Sequence, residues 1–448
     1  MRIIMSKKPA ISIALAVLLA LSWWAAILPS GAEAATQTEI DDAMTAGAAY
    51  LASQQTPDGA WQTARWVGST GLAVTTLAHY AEHLGQDPLD PGYAYSSHIQ
   101  AGLDYIFSPS SAQIVRRNGA DNRVWWGGTP ETSGENYVIG PAVMAIVISG
   151  APNKVVEVAG SAVEGMTYRQ VVEEALNYLD YTQCKTGNGI GSWDYVGTST
   201  YGDQSIAGWV TLGLGYATSR FDVTIPPDIL DKLNEGIDII QWTDPPVDEG
   251  CYGGAGYTSS SSPPYDSWIN IYKVGHLLYM MGLVGDTAAT PRVQWSLGFI
   301  ERHWNHPSSG QSSSTGCSTP GWRGDPPSPL PSYIATVATM KGLLKLGIDM
   351  VGPYDWYEEF SDVIVANQNP DGSWIQGGYP TGYPYLPTMW AMLTLLKAVP
   401  EPPTPPALAV GGTAEPANRL LLLLPWIVLG AAIMAGAAIF VRRRQAQI

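Results

Sequence analysis

The sequence predicts an all-α fold, a closed (α/α)6 toroid of six helix pairs, and three observations carry that prediction. One segment recurs after apolar helical runs, and it is nearly the same in two places: Gln55-Thr-Pro-Asp-Gly-Ala-Trp61 and Gln368-Asn-Pro-Asp-Gly-Ser-Trp374. A second apolar run follows each copy, and the copies start roughly 60 residues apart, the length of a helix pair with its loops. The two sets of runs differ in polarity, which separates an outer ring from an inner one.

The first helix of each pair is read at residues 48–51, 103–106, 175–179, 236–241, 298–301 and 363–366. Several of these helices carry charges such as Asp41, Asp42, Glu173, Glu174, Asp231, Lys232, Glu358 and Glu359. A looser copy of the recurrent segment, Gln183 to Trp193, follows the third. The second helices are placed near Gly71, Gly140, Ile206, Ile269, Ile334 and Pro387, and they are apolar on nearly every face. A helix without a polar stripe is buried all round. Six amphipathic helices outside and six apolar ones inside make the double ring, spanning residues 35–398.

The ends of the chain read as addresses. Residues 1–34 have a basic start, an apolar stretch and small residues at Ala32 and Ala34, the pattern of a signal peptide. Residues 399–419 form a Pro-rich linker, a stiff spacer by composition. Residues 420–441 are apolar without a break, long enough to cross a bilayer as a transmembrane helix. Arg442, Arg443 and Arg444 follow and assign the tail, 442–448, to the cytoplasm. The expected protein is therefore a single-pass cell-membrane protein with its toroid outside.

Removing the leader and tail takes six of 23 basic residues and one of 39 acidic ones, leaving a net charge near −21. A chain so acidic excludes nucleic acid as partner, because phosphate backbones need a positive face. Three cysteines sit in the loops of the third to fifth pairs: Cys184, Cys251 and Cys317. They make one disulfide, Cys251–Cys317 between neighbouring loops, or three free thiols. The six histidines form no ligand spacing with them, so no metal is expected, and His303 and His306 read as surface residues. No cofactor is called for.

The Gln-x-Pro-Asp-Gly-x-Trp copies resemble the QW repeats of the terpenoid cyclase and protein prenyltransferase superfamily, over nearly all of residues 36–398. The resemblance implies the toroid and a structural role for Gln55, Trp61, Gln183, Trp193, Gln368 and Trp374. It implies no activity by itself. The Asp-x-Asp-Asp acid of squalene-type cyclases has no match on an inner helix. Glu39-Ile40-Asp41-Asp42 opens an outer helix, where acids favour the dipole. Glu249-Gly250-Cys251-Tyr252 is similar to part of the prenyltransferase zinc set, but Ile334 stands where the later histidine is needed.

The inner helices of such a toroid start at one rim, and their first residues surround the mouth. That placement nominates Tyr201, Asp203, Ser205, Trp209, Tyr265, Asp266, Trp268, Tyr333, Tyr385 and Trp390 as ligand-binding residues. Glu135, Asp203 and Asp266 are the acid–base candidates should the protein catalyse. Gly202-Asp203-Gln204-Ser205-x-x-Gly208-Trp209 resembles a signature of uncharacterised bacterial members of the superfamily. The blander reading of Asp203, Ser205 and Asp266 is helix capping. With 23 Tyr and 17 Trp against 5 Phe, the chain favours rings with a polar edge, suited to half-wet clefts. The sequence reading is a surface toroid that binds a small molecule, peptide or glycan. The alternatives are an extracytoplasmic enzyme acting on a glycan or polyprenyl-like lipid, and a structural or adhesive domain.

Overall fold

The computed structural model describes residues 34–400 except 63–64, 118–120, 128–135, 196, 198, 244–249, 258–268, 307–320, 325–329 and 376–384. Twelve helices alternate along the described chain: α1 (Gln37–Ser53), α2 (Trp66–His83), α3 (Ser96–Ile106), α4 (Asn136–Ile148), α5 (Tyr168–Thr182), α6 (Gln204–Phe221), α7 (Pro227–Ile240), α8 (Ile271–Leu283), α9 (Pro291–His303), α10 (Tyr333–Lys345), α11 (Trp356–Ala366) and α12 (Tyr385–Leu395). Each even-numbered helix packs on the next even one, and α12 returns to α2, so six helices close an inner ring. The odd-numbered helices lie outside it, and α11 touches α1 where the outer ring closes.

Polarity sets the two layers. α7 buries one stripe, Ile229, Leu233 and Ile237, four residues apart, and leaves its other faces to water. α6 buries every residue from Gln204 to Ala217, and α2 every residue from Val67 to Ala81. Local chemistry sets the ends. Thr36 and Glu39 form a capping box at the start of α1, and Thr167 and Gln170 form another at α5. The inner helices begin one to five residues before the positions read from the sequence, except α8, which starts two later at Ile271.

The recurrent glutamines and tryptophans tie the repeats together. Gln55 Nε2 donates to Gly59 O of its own loop and to His98 O of the next outer helix, both at 2.9 Å. Gln183 joins Gly191 O and Ile229 O in the same way, and Gln368 joins Gly372 O and Ala43 O, which links the sixth pair to the first. Trp61, Trp193 and Trp374 donate their indole N–H to Leu51, Leu179 and Ile364, the last-turn carbonyls of their own outer helices. The Asp-Gly step of the motif has a steric reason. Gly59 and Gly372 hold φ of +92° and +87°, and a Cβ there would collide with the carbonyls of Ala101 and Ala46 on the neighbouring outer helix.

The all-α expectation needs one correction. Two antiparallel hairpins interrupt the helices: β1 (Ala112–Arg117) with β2 (Asp121–Trp126), and β3 (Met350–Val351) with β4 (Tyr354–Asp355). The first hairpin explains why the second copy reads so weakly. It separates α3 from Trp126, whose Nε1 still donates to Ile106 O at 3.0 Å, as the other repeat tryptophans do. Among the described residues no helix is long and apolar enough to cross a membrane. The leader and the apolar stretch at 420–441 lie outside the described residues.

Candidate functional site: the N-terminal rim of the inner ring

Asp203 is the N-cap of α6. Its Oδ1 accepts from the amides of Ser205 and Ile206, at 2.8 and 3.4 Å, and from the Ser205 hydroxyl at 2.6 Å. The capping reading is therefore correct for Asp203. Ser205 lies inside the helix and serves the cap from there. Gln204 N donates to Tyr257 O at 2.9 Å, which brings the loop carrying Tyr257 onto the same helix start.

Capping is not the whole of it, because α8 presents charge to the same place. Asn270 caps α8 by accepting from Lys273 N at 3.0 Å, which sets Lys273 in the first turn and His276 one turn on. Lys273 and His276 are 2% and 1% exposed. Lys273 Nζ stands 4.5 Å from the centre of the Tyr257 ring, a cation–π contact. The His276 ring meets Tyr272 at 4.8 Å and Trp209 at 5.6 Å, both edge to face. It fits there because residue 208 is glycine, since a Cβ at that point would collide with the imidazole. Half-buried rings form the outer wall. Tyr137 and Tyr195 stack at 6.0 Å, and the Arg65 guanidinium lies 5.4 and 4.9 Å from their centres.

Burial dominates the electrostatics. It lifts the Asp203 carboxyl above its ordinary value, although hydrogen bonds from Ser205 and Tyr257 pull it back. It lowers the Lys273 ammonium to about 7 against the opposing pull of Asp203. His276 falls to about 3, first by desolvation and then by the Lys341 and Lys273 charges, so its ring is neutral. Tyr137, Tyr257 and Tyr272 are all raised, chiefly by burial. Three polar atoms on these neighbouring rings are buried without a hydrogen bond of good geometry: Trp209 Nε1, Tyr272 Oη and His276 Nε2. The indole N–H of Trp209 nonetheless comes near enough to the Tyr137 and Tyr272 hydroxyls to lower their pKa values against the effect of burial. Buried polar groups are nearly always paired with protein, water or ligand, which makes the three atoms candidates for a partner from outside the chain.

The candidates of the sequence divide accordingly. Asp203, Ser205 and Trp209 come together at α6. Tyr201 is 55% exposed on the preceding loop, where its carbonyl accepts from Cys184 Sγ at 2.9 Å. Tyr333 and Trp390 are buried on α10 and α12, each also with an unpaired polar atom, and Tyr385 is half-buried at the start of α12. Glu135, Tyr265, Asp266 and Trp268 lie outside the described residues, so Asp203 is the one acid–base candidate with a described position. Sequence reasoning missed Arg65, Tyr195, Tyr257, Tyr272, Lys273 and His276. A usable signal existed for two of them: Lys273 and His276 are the basic residues of an otherwise largely apolar inner helix.

Other residues stand apart from the rim. Among the described residues no group of three or more His, Cys, Asp or Glu is placed to hold a metal ion. Cys251 is disulfide-bonded and Cys184 is a free buried thiol, raised to about 11 by burial, while Cys317 lies outside the described residues. His303 is not a surface residue. It is 5% exposed, with Nε2 2.6 Å from Gly250 O and Nδ1 3.1 Å from His306 Nδ1, because the disulfide-bearing loop folds over the end of α9. A shallow crevice lined by Asn188, Ile190, Gly202, Gln204, Leu233 and Met280 contains none of the rim's titratable groups.

No family model and no curated protein matches the chain. Solved structures do. A D-mannose isomerase, 12% identical, is matched over 81% of this chain and 98% of that one, with a TM-score of 0.51. An inactive variant of an alpha-1,6-mannanase of Salegentibacter sp. HEL1_6, in complex with alpha-1,6-mannotetrose, is also 12% identical, over 81% and 99%, with a TM-score of 0.50. A type II terpene cyclase from Scytonema matches at 12% identity over 81% and 98%, with a TM-score of 0.45. The chain shares its helical toroid fold with the isomerase and the mannanase. At such identities the likeness concerns the fold alone.

Proposed function

We propose that the rim around the N-termini of α6 and α8 binds a small, neutral, oxygen-rich ligand of the sugar class. The observation that carries this reading is the contiguous set of unpaired buried atoms, Trp209 Nε1, Tyr272 Oη and His276 Nε2. An indole N–H only donates, a phenol does both, and a neutral imidazole nitrogen does either, so together they ask for hydroxyl oxygens. The tyrosine faces beside them supply the apolar contact that a sugar ring takes in addition. The mannanase holds a mannose tetramer on a fold of this kind, which is in keeping with the reading. The extracellular placement expected from the two ends of the chain accords with a glycan as ligand, and cell fractionation with surface proteolysis tests it.

Catalysis is the second reading, and one observation favours it. A buried ammonium poised near neutrality within electrostatic reach of a buried carboxylate is an arrangement suited to moving protons. Native mass spectrometry of residues 35–402, isolated from the natural host without detergent, tests the first reading. An added mass lost on denaturation supports binding and states the class; a bare chain that also fails to bind mono- and oligosaccharides refutes it. Turnover abolished by Lys273→Met or Asp203→Asn with binding retained establishes the second.

A further inference from the structure

The opposite end of the inner ring carries a second polar cluster, and here the ionisable side chains of α2, α6 and α10 bond one another. His79 of α2 places Nε2 2.6 Å from the Tyr216 hydroxyl of α6 and Nδ1 2.9 Å from Glu82. Lys341 of α10 approaches the same hydroxyl at 3.5 Å. α2, α6 and α10 are alternate members of the ring, so the Tyr216 hydroxyl is a hub between them. Glu82 also pairs with Arg220, near the C-terminal end of α6.

Residues 397–400 lie over this hub. Lys397 turns the chain with φ of +47°, and Ala398 N donates back to Leu393 O at 3.0 Å. The next three carbonyls are then taken up. Lys341 Nζ donates to Ala398 O at 2.9 Å, Arg220 to Val399 O at 3.4 Å and to Pro400 O at 2.7 Å. The segment thus runs from α12 to α6, the member facing it across the ring. The absence of a side chain at Gly215 lets Pro400 and Tyr279 approach α6, where a Cβ would meet both. Ala398 is 1% exposed.

We infer that residues 397–400 form a built-in plug that blinds the ring at this end, leaving the N-terminal rim as the way into the interior. The inference takes from the proposed function only that the interior site receives a ligand, and its test uses no ligand. In the full chain, 397–400 is replaced by a Gly-Ser stretch twice as long, which keeps the connection and loses the register. A second variant, Lys341→Met, removes one latch. Hydrogen exchange is followed by mass spectrometry. The plug predicts at least tenfold faster exchange in the last turns of α2, α6 and α10, with the first turns of α6 and α8 unchanged; Lys341→Met gives a smaller change in the same turns. Equal exchange everywhere, or acceleration by one common factor throughout, overturns it. A cysteine reporter at His79→Cys gives the second measurement. It must be alkylated at least tenfold faster in the Gly-Ser chain than in the plugged one, and equal rates again overturn the inference. Loss of sugar binding in either chain bears on the rim and leaves this result standing.

Discussion

The two ends of the inner ring are built from the same material and solved in opposite ways. Each buries ionisable side chains on helices that are otherwise apolar. At the C-terminal end, His79, Glu82, Tyr216, Arg220 and Lys341 bond one another and the carbonyls of 398–400. At the N-terminal rim, Trp209, Tyr272 and His276 leave polar atoms without partners. A satisfied buried network rigidifies a core, whereas an unsatisfied one costs stability until a ligand or water completes it. The comparison teaches that burial of charge does not by itself mark a functional site in this protein.

Four experiments break or sharpen that contrast. The largest effect belongs to the paired end: Arg220→Met strands the Glu82 carboxylate and lowers stability by about 3 kcal/mol in thermal or urea denaturation. The rim behaves in the opposite sense. Lys273→Met removes a buried ammonium and raises stability by about 2 kcal/mol at slightly acidic pH, while ligand binding falls. A lysine whose native value, about 7, lies below its ordinary 10.5 binds fewer protons when folded than when unfolded between those limits. Wild-type stability therefore grows as pH rises from about 7 toward 10, and Lys273→Met flattens that rise. If both substitutions destabilise alike, the contrast between the ends is false.

A smaller effect separates two tryptophans. Trp374→Phe breaks the bond to Ile364 O, so it costs about 1 kcal/mol more than Trp209→Phe, whose indole N–H makes no hydrogen bond of good geometry. Isothermal titration then shows the reverse order for ligand affinity. Asp203→Asn is the mildest change, within about 0.5 kcal/mol in stability, because asparagine caps a helix as well as aspartate does. A larger loss means that the carboxylate charge, and not the cap, holds Lys273 in place.

How much was legible depended on whether a feature repeats along the chain. Gln55, Gln183 and Gln368 were readable because each repeat must bond the next, and their tryptophans because each outer helix ends in a carbonyl that needs a donor. Trp126 escaped because a hairpin displaced it from α3, and Tyr257 because nothing local tells a loop tyrosine that it docks on α6. Gly208 was noticed as part of a signature, but its reason, the His276 ring pressed against it, lies on another helix.

Sequence alone determined the double ring and the layer each helix occupies. Those follow from periodicity and capping, which act over a few residues and leave their record in composition. Only the tertiary structure decided that Asp203 comes within electrostatic reach of Lys273, that Tyr216 joins His79 to Lys341, and that residues 397–400 close the far end. Those contacts join residues tens to hundreds apart. Ring closure and packing against neighbouring helices select them, and no local pattern encodes such a meeting.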